Sequence, residues 1–221
     1  NADYVEFWNP ASAIIENQTA WWGNGNAGSS MGGKIISYPD TSEKVDGNQS
    51  ACLASANAII KFAAGNLFTG DFQLNISTMS GVVTFGKSFS FNASPKSFSF
   101  WMKNTQGTIN NGDKASGTDI YTAMVLITEG NRYAVDTTNE SSFLAFDRLG
   151  TLPGIIAYGY VSDTDSNADW VQKTITLNYV DGWETKTPKM VVVSFTPSGY
   201  GDYFCGSTDS QMYVDDVQFN Y

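Results

Sequence analysis

The sequence predicts an all-β domain, a jelly-roll β-sandwich. Three observations carry this. Apolar residues alternate with a period of two in stretch after stretch, turn signals recur roughly every ten to fifteen residues, and helical periodicity is nearly absent. The turn signals are Asn92-Ala93-Ser94-Pro95, Asn111-Gly112-Asp113, Glu129-Gly130-Asn131 and Val180-Asp181-Gly182.

The elements follow in order. Residues 4–8 read as an opening strand, and residues 23–33 as a loop rich in glycine and asparagine. Residues 51–62 mix alanines that suit a helix with Ile59, Ile60 and Phe62, which suit a hairpin. The surrounding pattern favours strands. Residues 96–102 alternate, with Phe98, Phe100 and Met102 on one face. Residues 119–128 form a long strand, with Tyr121, Ala123, Val125 and Ile127 opposed to Ile120, Met124 and Leu126. Helix is expected only as a turn near residues 141–149. Residues 154–161 and 190–196 are apolar on both faces, as in central strands. Residues 174–179 put Ile175, Leu177 and Tyr179 on one face, and residues 211–220 close the chain. Nothing marks a domain boundary, so residues 1–221 read as one domain.

Composition excludes several functions. Twelve basic against 22 acidic residues give a net charge of −10, with no basic patch. Nucleic-acid binding and attachment to an anionic membrane surface both need one. No apolar run is long enough for a membrane-spanning helix. Histidine is absent, which removes serine–histidine and cysteine–histidine nucleophiles and the usual zinc ligand. Carboxylate chemistry and oxygen-ligand metals stay open. Cys52 and Cys205 could form one long-range disulfide or be two buried thiols. The opening NADYVEF does not read as a signal peptide.

Two sets of residues are candidates for a site. The first is the pair Asp215 and Asp216 inside the closing strand, where aspartate is a poor strand former. Calcium takes carboxylate and carbonyl oxygens in irregular geometry. Asp215, with Glu6 on the opening strand, could hold such an ion where the two chain ends meet. The competing reading is an edge-strand charge. The second set is aromatic. Trp101 lies opposite the Phe98/Phe100/Met102 face, and Tyr121, Tyr158, Tyr160 and Trp170 sit where a face or loop could expose them. Rings beside Asn, Gln and Asp suit the apolar face and hydroxyls of a sugar. The competing reading is that they are core. Acidic residues are numerous, but no pair at a fixed offset marks a glycosidase.

Two glycine-bracketed aromatic turns, residues 65–70 and 198–206, are similar in form, and Phe68 and Phe204 are expected to anchor them side by side. These stretches also carry a resemblance. GNLFTGDF (65–72) followed by FGKSFSFNASPKSFSFWMK (85–103) looks like the middle of the putative carbohydrate metabolism domain, a family of surface proteins in gut Bacteroidetes. Its closing signature is matched by Ser198, Gly201-Asp202-Tyr203-Phe204, Gly206, Ser210 and Tyr213-Val214-Asp215-Asp216-Val217. Where that family often has an arginine–proline run, this chain has Ala93-Ser94-Pro95, and Cys205 replaces a small residue or threonine.

The resemblance implies a jelly roll similar to carbohydrate-binding modules and galactose-binding-like domains, with calcium where the opening and closing strands meet. It implies an exported protein, either a cell-surface or outer-membrane lipoprotein or a periplasmic one, with further domains N-terminal to this one. No catalytic residue comes with it. The sequence reading is therefore non-catalytic binding of an oligosaccharide or polysaccharide, with Trp101, Tyr121, Tyr158, Tyr160 and Trp170 as the sugar-facing rings. The rivals are a glycoside hydrolase or lyase using paired carboxylates, and a structural or adhesive module without a small ligand.

Overall fold

A computed structural model describes residues 21–59, 61–78 and 80–221. In chain order its strands are β1 (Trp22–Gly23), β2 (Ser37–Asp40), β3 (Ser50–Ala54), β4 (Ala56–Ala58), β5 (Lys61–Ala63), β6 (Leu67–Asn75), β7 (Ser80–Phe85), β8 (Lys87–Ser88), β9 (Ser97–Thr105), β10 (Tyr121–Thr128), β11 (Tyr133–Asp136), β12 (Ile155–Asp163), β13 (Asn167–Thr176), β14 (Asn178–Tyr179), β15 (Met190–Thr196) and β16 (Gln211–Asn220). One short helix, α1 (Asn26–Ser29), and several 3-10 turns complete the described chain. No helix among the described residues is long and apolar enough to cross a membrane.

The strands make a jelly-roll sandwich of two antiparallel sheets. The larger has nine strands, in the order β11-β7-β6-β15-β10-β12-β14, with β1 paired to β6 and β8 to β15. The smaller has five, in the order β13-β9-β16-β3-β2. The β4–β5 hairpin stands apart as its own two-stranded sheet, so the described residues of the stretch 51–62 form strand and hairpin rather than helix.

Period-two alternation builds the core between the sheets. Phe98, Phe100 and Met102 of β9, with Met212 and Val214 of β16, pack against Tyr121, Ala123, Val125 and Ile127 of β10 and Val191, Val193 and Phe195 of β15. Each large apolar side chain here contributes about 1.5–3 kcal/mol relative to exposure. Strand β10 is buried along its whole length because its other face is also covered. There Met124 and Leu126 join Val192, Ile155 and Leu149 in a second cluster, on the outside of the nine-stranded sheet. The 3-10 segments Glu140–Ser142 and Phe146–Thr151 lie in the connection between β11 and β12, and Phe146 and Leu149 from it join that cluster. The helical turn expected near 141–149 is this pair of 3-10 segments.

Two expectations change. Residues 174–179 are not one strand. β13 pairs with β9 in the small sheet, while β14 pairs with β12 in the large one. The chain changes sheets at Leu177, and the alternation of Ile175, Leu177 and Tyr179 survives because all three still face the core between the sheets. Tyr121 is not a sugar-facing ring. It is fully buried in that core, since it shares a face with Ala123, Val125 and Ile127 and both faces of β10 are covered. Cys52 and Cys205 are both buried free thiols, not joined in a disulfide.

Candidate functional site

The predicted ring platform divides between two sides of the sandwich. Trp101 is half-buried on the outer face of the five-stranded sheet, in register with Gln172 of β13 and Asp215 of β16. Trp170 lies nearby, edge-on to Tyr213 at 6.3 Å between ring centroids. Tyr158 and Tyr160 belong to β12, opposite Leu126 and Met124, so they stand on the outer face of the other sheet. Tyr158 is half-buried against the second apolar cluster. Tyr160 is 46% exposed and lies flat on Phe146 at 4.4 Å. These rings therefore do not share one groove.

Asp215 is buried, and its carboxylate is already engaged. Its Oδ2 accepts the N–H groups of Val45 at 2.6 Å and Asp46 at 3.1 Å, and its Oδ1 accepts its own neighbour Asp216 N–H at 2.9 Å. It thus pins the loop between β2 and β3 over the outer face of the small sheet. Lys103 helps from the same face through an ion pair with Glu43 at 2.9 Å. Asp216 has a left-handed backbone, φ 44°, where a register shift interrupts the β16–β9 pairing. Strict alternation of the two aspartates fails at this bulge. As a cation site the described surroundings fit poorly, because three N–H dipoles point their positive ends at the oxygens a metal would need. No cluster of three acidic or thiol side chains occurs among the described residues. Glu6 and the opening strand lie outside the described residues.

A roomier space lies elsewhere, on the outer face of the nine-stranded sheet. A hollow of about 240 Å³ opens there. Its floor is Phe68, Thr122, Met124, Ser194 and Thr196, from β6, β10 and β15. The cross-strand register Ser194–Phe68, Met124–Ser194 and Thr122–Thr196 holds these side chains together. The β4–β5 hairpin and α1 form one wall, the β6–β7 hairpin with Leu144 and Phe146 another. The turn after β15 supplies Ser198, Asp202 and Phe204.

That turn is the family-like signature, and its fixed residues have a physical purpose. Asp119 is fully buried. Its Oδ2 accepts the Ser198 hydroxyl at 2.6 Å, the Ser210 hydroxyl at 2.9 Å and the Ser207 N–H at 2.8 Å, while Oδ1 accepts Ile120 N–H at 2.9 Å. The one proton of Ser198 goes to the carboxylate, so the Ser55 hydroxyl, 2.9 Å away, is the donor to Ser198. Ser55 in turn accepts Gly65 N–H at 3.2 Å. Residues 65–70 are not a turn, because Leu67 to Gly70 open strand β6, but the two glycine-bracketed stretches are thereby tied together, and Phe68 and Phe204 line the same hollow. At Gly206 a Cβ would stand 2.6 Å from the Phe62 ring, which is why this position carries no side chain.

The clamp presents Asp202. This side chain reaches solvent, yet protein surrounds it on most sides, and that enclosure pushes its pKa up to about 6. Among the described residues its carboxylate makes no hydrogen bond or ion pair, and the hydroxyls of Thr122 and Ser194 make no hydrogen bond either. Lys61, on the wall of the hollow, sits over the Phe204 ring at 4.1 Å. Asp202, Phe68, Phe146 and Phe204 were not identifiable as site residues from periodicity. The signal that could have found Asp202 is the signature Gly201-Asp202-Tyr203-Phe204 itself, since a carboxylate in a rigid glycine turn needs a tertiary reason.

Comparisons with known proteins agree with this architecture. No curated protein matches the chain. A solved structure described as a putative glycoside hydrolase from Bacteroides thetaiotaomicron superposes with a TM-score of 0.68 at 20% identity, covering 90% of this chain and 62% of that one. This chain therefore spans less than two thirds of that protein. A second, described as a putative glycoside hydrolase from Bacteroides vulgatus, gives a TM-score of 0.67 at 17% identity, covering 93% of this chain and 89% of that one. At these identities they establish a shared fold. A family model described as "Putative carbohydrate metabolism domain" matches residues 1–220, and the chain belongs to that family.

Proposed function

We propose that this domain binds a saccharide, without cleaving it, in the hollow over the nine-stranded sheet. The observation that carries the reading is the composition of that hollow. Phe68, Phe146 and Phe204 line it beside three polar groups that have no partner among the described residues, Asp202, Thr122 and Ser194. A sugar needs both, apolar surface for its C–H face and polar groups for its hydroxyls. Tyr160, stacked on Phe146, extends the ring surface outward. Family membership supports a glycan-related role.

The test is a glycan array with the wild type, Asp202→Ala and Trp101→Ala. The proposal expects retention by the wild type, about tenfold weaker retention by Asp202→Ala, and no change for Trp101→Ala. Loss in Trp101→Ala with retention in Asp202→Ala would move the site to the five-stranded sheet.

The second reading is hydrolysis, favoured by the descriptions of both solved relatives. It needs two carboxylates about 5–9.5 Å apart, and Asp202 is the one carboxylate among the described residues that line the hollow. Release of reducing ends from any glycan by the wild type, abolished in Asp202→Ala, would establish catalysis instead.

The same proposal places the domain outside a bacterial cell, at the surface or in the periplasm and beside further domains. The support is the resemblance to a family of surface proteins, to which the chain belongs. Recovery of the full-length protein in the cytoplasmic fraction would overturn it. Calcium bridging Glu6 and Asp215 stands as a separate proposal, decided by the chelation experiment below.

A further inference from the structure

The hollow has two chemically different ends, and this difference bears on which sugar it takes. At one end lie Thr122, Ser194, Thr196 and Ser198 with Asp202. Register places the first three on neighbouring strands, facing the same side of the sheet. Thr196 is occupied by the backbone of Ser198, accepting its N–H at 3.1 Å, and Ser198 by Asp119. Thr122, Ser194 and Asp202 are left to meet a ligand. The other end is mostly hydrocarbon: Phe72 and Leu74 of β6, Val83 and Phe85 of β7, Val135 of β11, and Leu144 from the β11–β12 connection, while the hydroxyls of Ser80 and Thr137 there are already bonded to Thr78 and to the Gly81 backbone.

Phe72, Leu74 and Val83 are only half-buried. Apolar side chains lining a hollow and left partly open to water gain when a ligand covers them. A plain hexose cannot use this wall fully, because its ring carries hydroxyls around the edge and would lose their hydration against Leu74 and Val83 without replacement. A uronate fares worse, since its carboxylate would sit either against hydrocarbon or beside the carboxylate of Asp202. Among the described residues the one ammonium lining the hollow, Lys61, stands over Phe204 on the β4–β5 side rather than at the apolar wall.

We infer that the hollow selects a sugar residue bearing a methyl group, an N-acetyl or a 6-deoxy hexose, with hydroxyls turned to Asp202, Thr122 and Ser194 and the methyl turned to Leu74 and Val83. The volume of about 240 Å³ suits one or two sugar rings rather than a long stretch of chain, so the recognised unit is a chain end or a side branch. This inference rests on the saccharide-binding reading and narrows it.

The experiment titrates the wild type with methyl glycosides of N-acetylglucosamine, N-acetylgalactosamine, fucose, rhamnose, glucose, galactose and glucuronic acid by calorimetry. The expected result is at least about tenfold tighter binding of one methyl-bearing class than of the plain hexoses, the scale on which one apolar group is discriminated in a hydrophobic pocket. The N-acetyl and 6-deoxy arms say which class it is. Leu74→Asn and the near-isosteric Val83→Thr, both at half-buried positions and checked by an unchanged melt, should erase the preference while leaving weak binding of plain hexoses. Two results overturn the inference and leave saccharide binding intact: equal or tighter binding of glucose, galactose or the uronate, or a preference unmoved by both variants. Failure of every glycoside to bind, with no retention on the glycan array, overturns both.

Discussion

Asp202 is held where its charge is costly. Its pKa is raised from an ordinary 3.8 to about 6 by loss of hydration to the protein packed around it, although the residue still exposes surface to solvent, so between those values the folded protein keeps a proton that the unfolded chain has released. That contribution to stability is fully present below about pH 4 and is lost as pH rises through 6. Asp202→Asn removes the ionisation and should raise the melting temperature at pH 7.5 while leaving it nearly unchanged at pH 4. An equal shift at both pH values would mean that the carboxylate is as well solvated as a free one. Tyr121 gives the opposite lesson. Its hydroxyl is buried without a hydrogen-bond partner among the described residues, an arrangement that costs about 1–3 kcal/mol. Tyr121→Phe should therefore be neutral or stabilising in a denaturant melt, and a loss of more than about 1 kcal/mol would show a bonded hydroxyl. Asp119→Ala orphans four donors around a fully buried site and should cost about 3 kcal/mol or more.

At the scale of elements, the closing strand β16 acts through its bulge. In residues 211–220 Met212 and Val214 face the core, and alternation along the strand could not say that Asp216 would adopt a left-handed backbone and break the register. The consequence is a buried Asp215 that fastens the β2–β3 loop. Asp215→Ala should speed amide hydrogen exchange at Val45 and Asp46 selectively, with a stability loss of about 1–3 kcal/mol. A chelator decides the separate calcium proposal, and an unchanged melting temperature ends it. A fall that added calcium reverses would place a cation at Asp215 with Glu6. The 198–210 turn was legible as a signature, whereas its role as the clamp around Asp119 was not. The partners Ser55, Asp119, Ser198 and Ser210 are scattered along the chain, and no local pattern links them.

Across the whole molecule, the two sheets share one apolar core and should unfold in a single cooperative transition. A bound saccharide that favours the native state should raise that transition with concentration. The outer faces of the two sheets have different chemistry. The small sheet carries Trp101, Trp170 and Tyr213 beneath a pinned loop, and the large sheet carries the hollow. Reading aromatic residues along the chain brought both sets into one list, because period two tells which side of a strand a ring occupies and not which sheet the strand joins. Chain order is a poor guide to that choice in a sandwich: β13 and β14 are separated by one residue and lie in different sheets.

The sequence by itself determined the β class and the inward faces of strands such as β9 and β10, because burial of alternate side chains is a local consequence of strand geometry. It also carried the family, through two glycine-bracketed motifs whose spacing survives as linear pattern. Only the tertiary structure decided where a ligand can sit. The hollow is assembled from β4 to β7, β10, β11, β15 and the 198–204 turn, and its defining carboxylate gains meaning from enclosure by residues distant in the chain. Enclosure is a property of packing, and no stretch of sequence contains it.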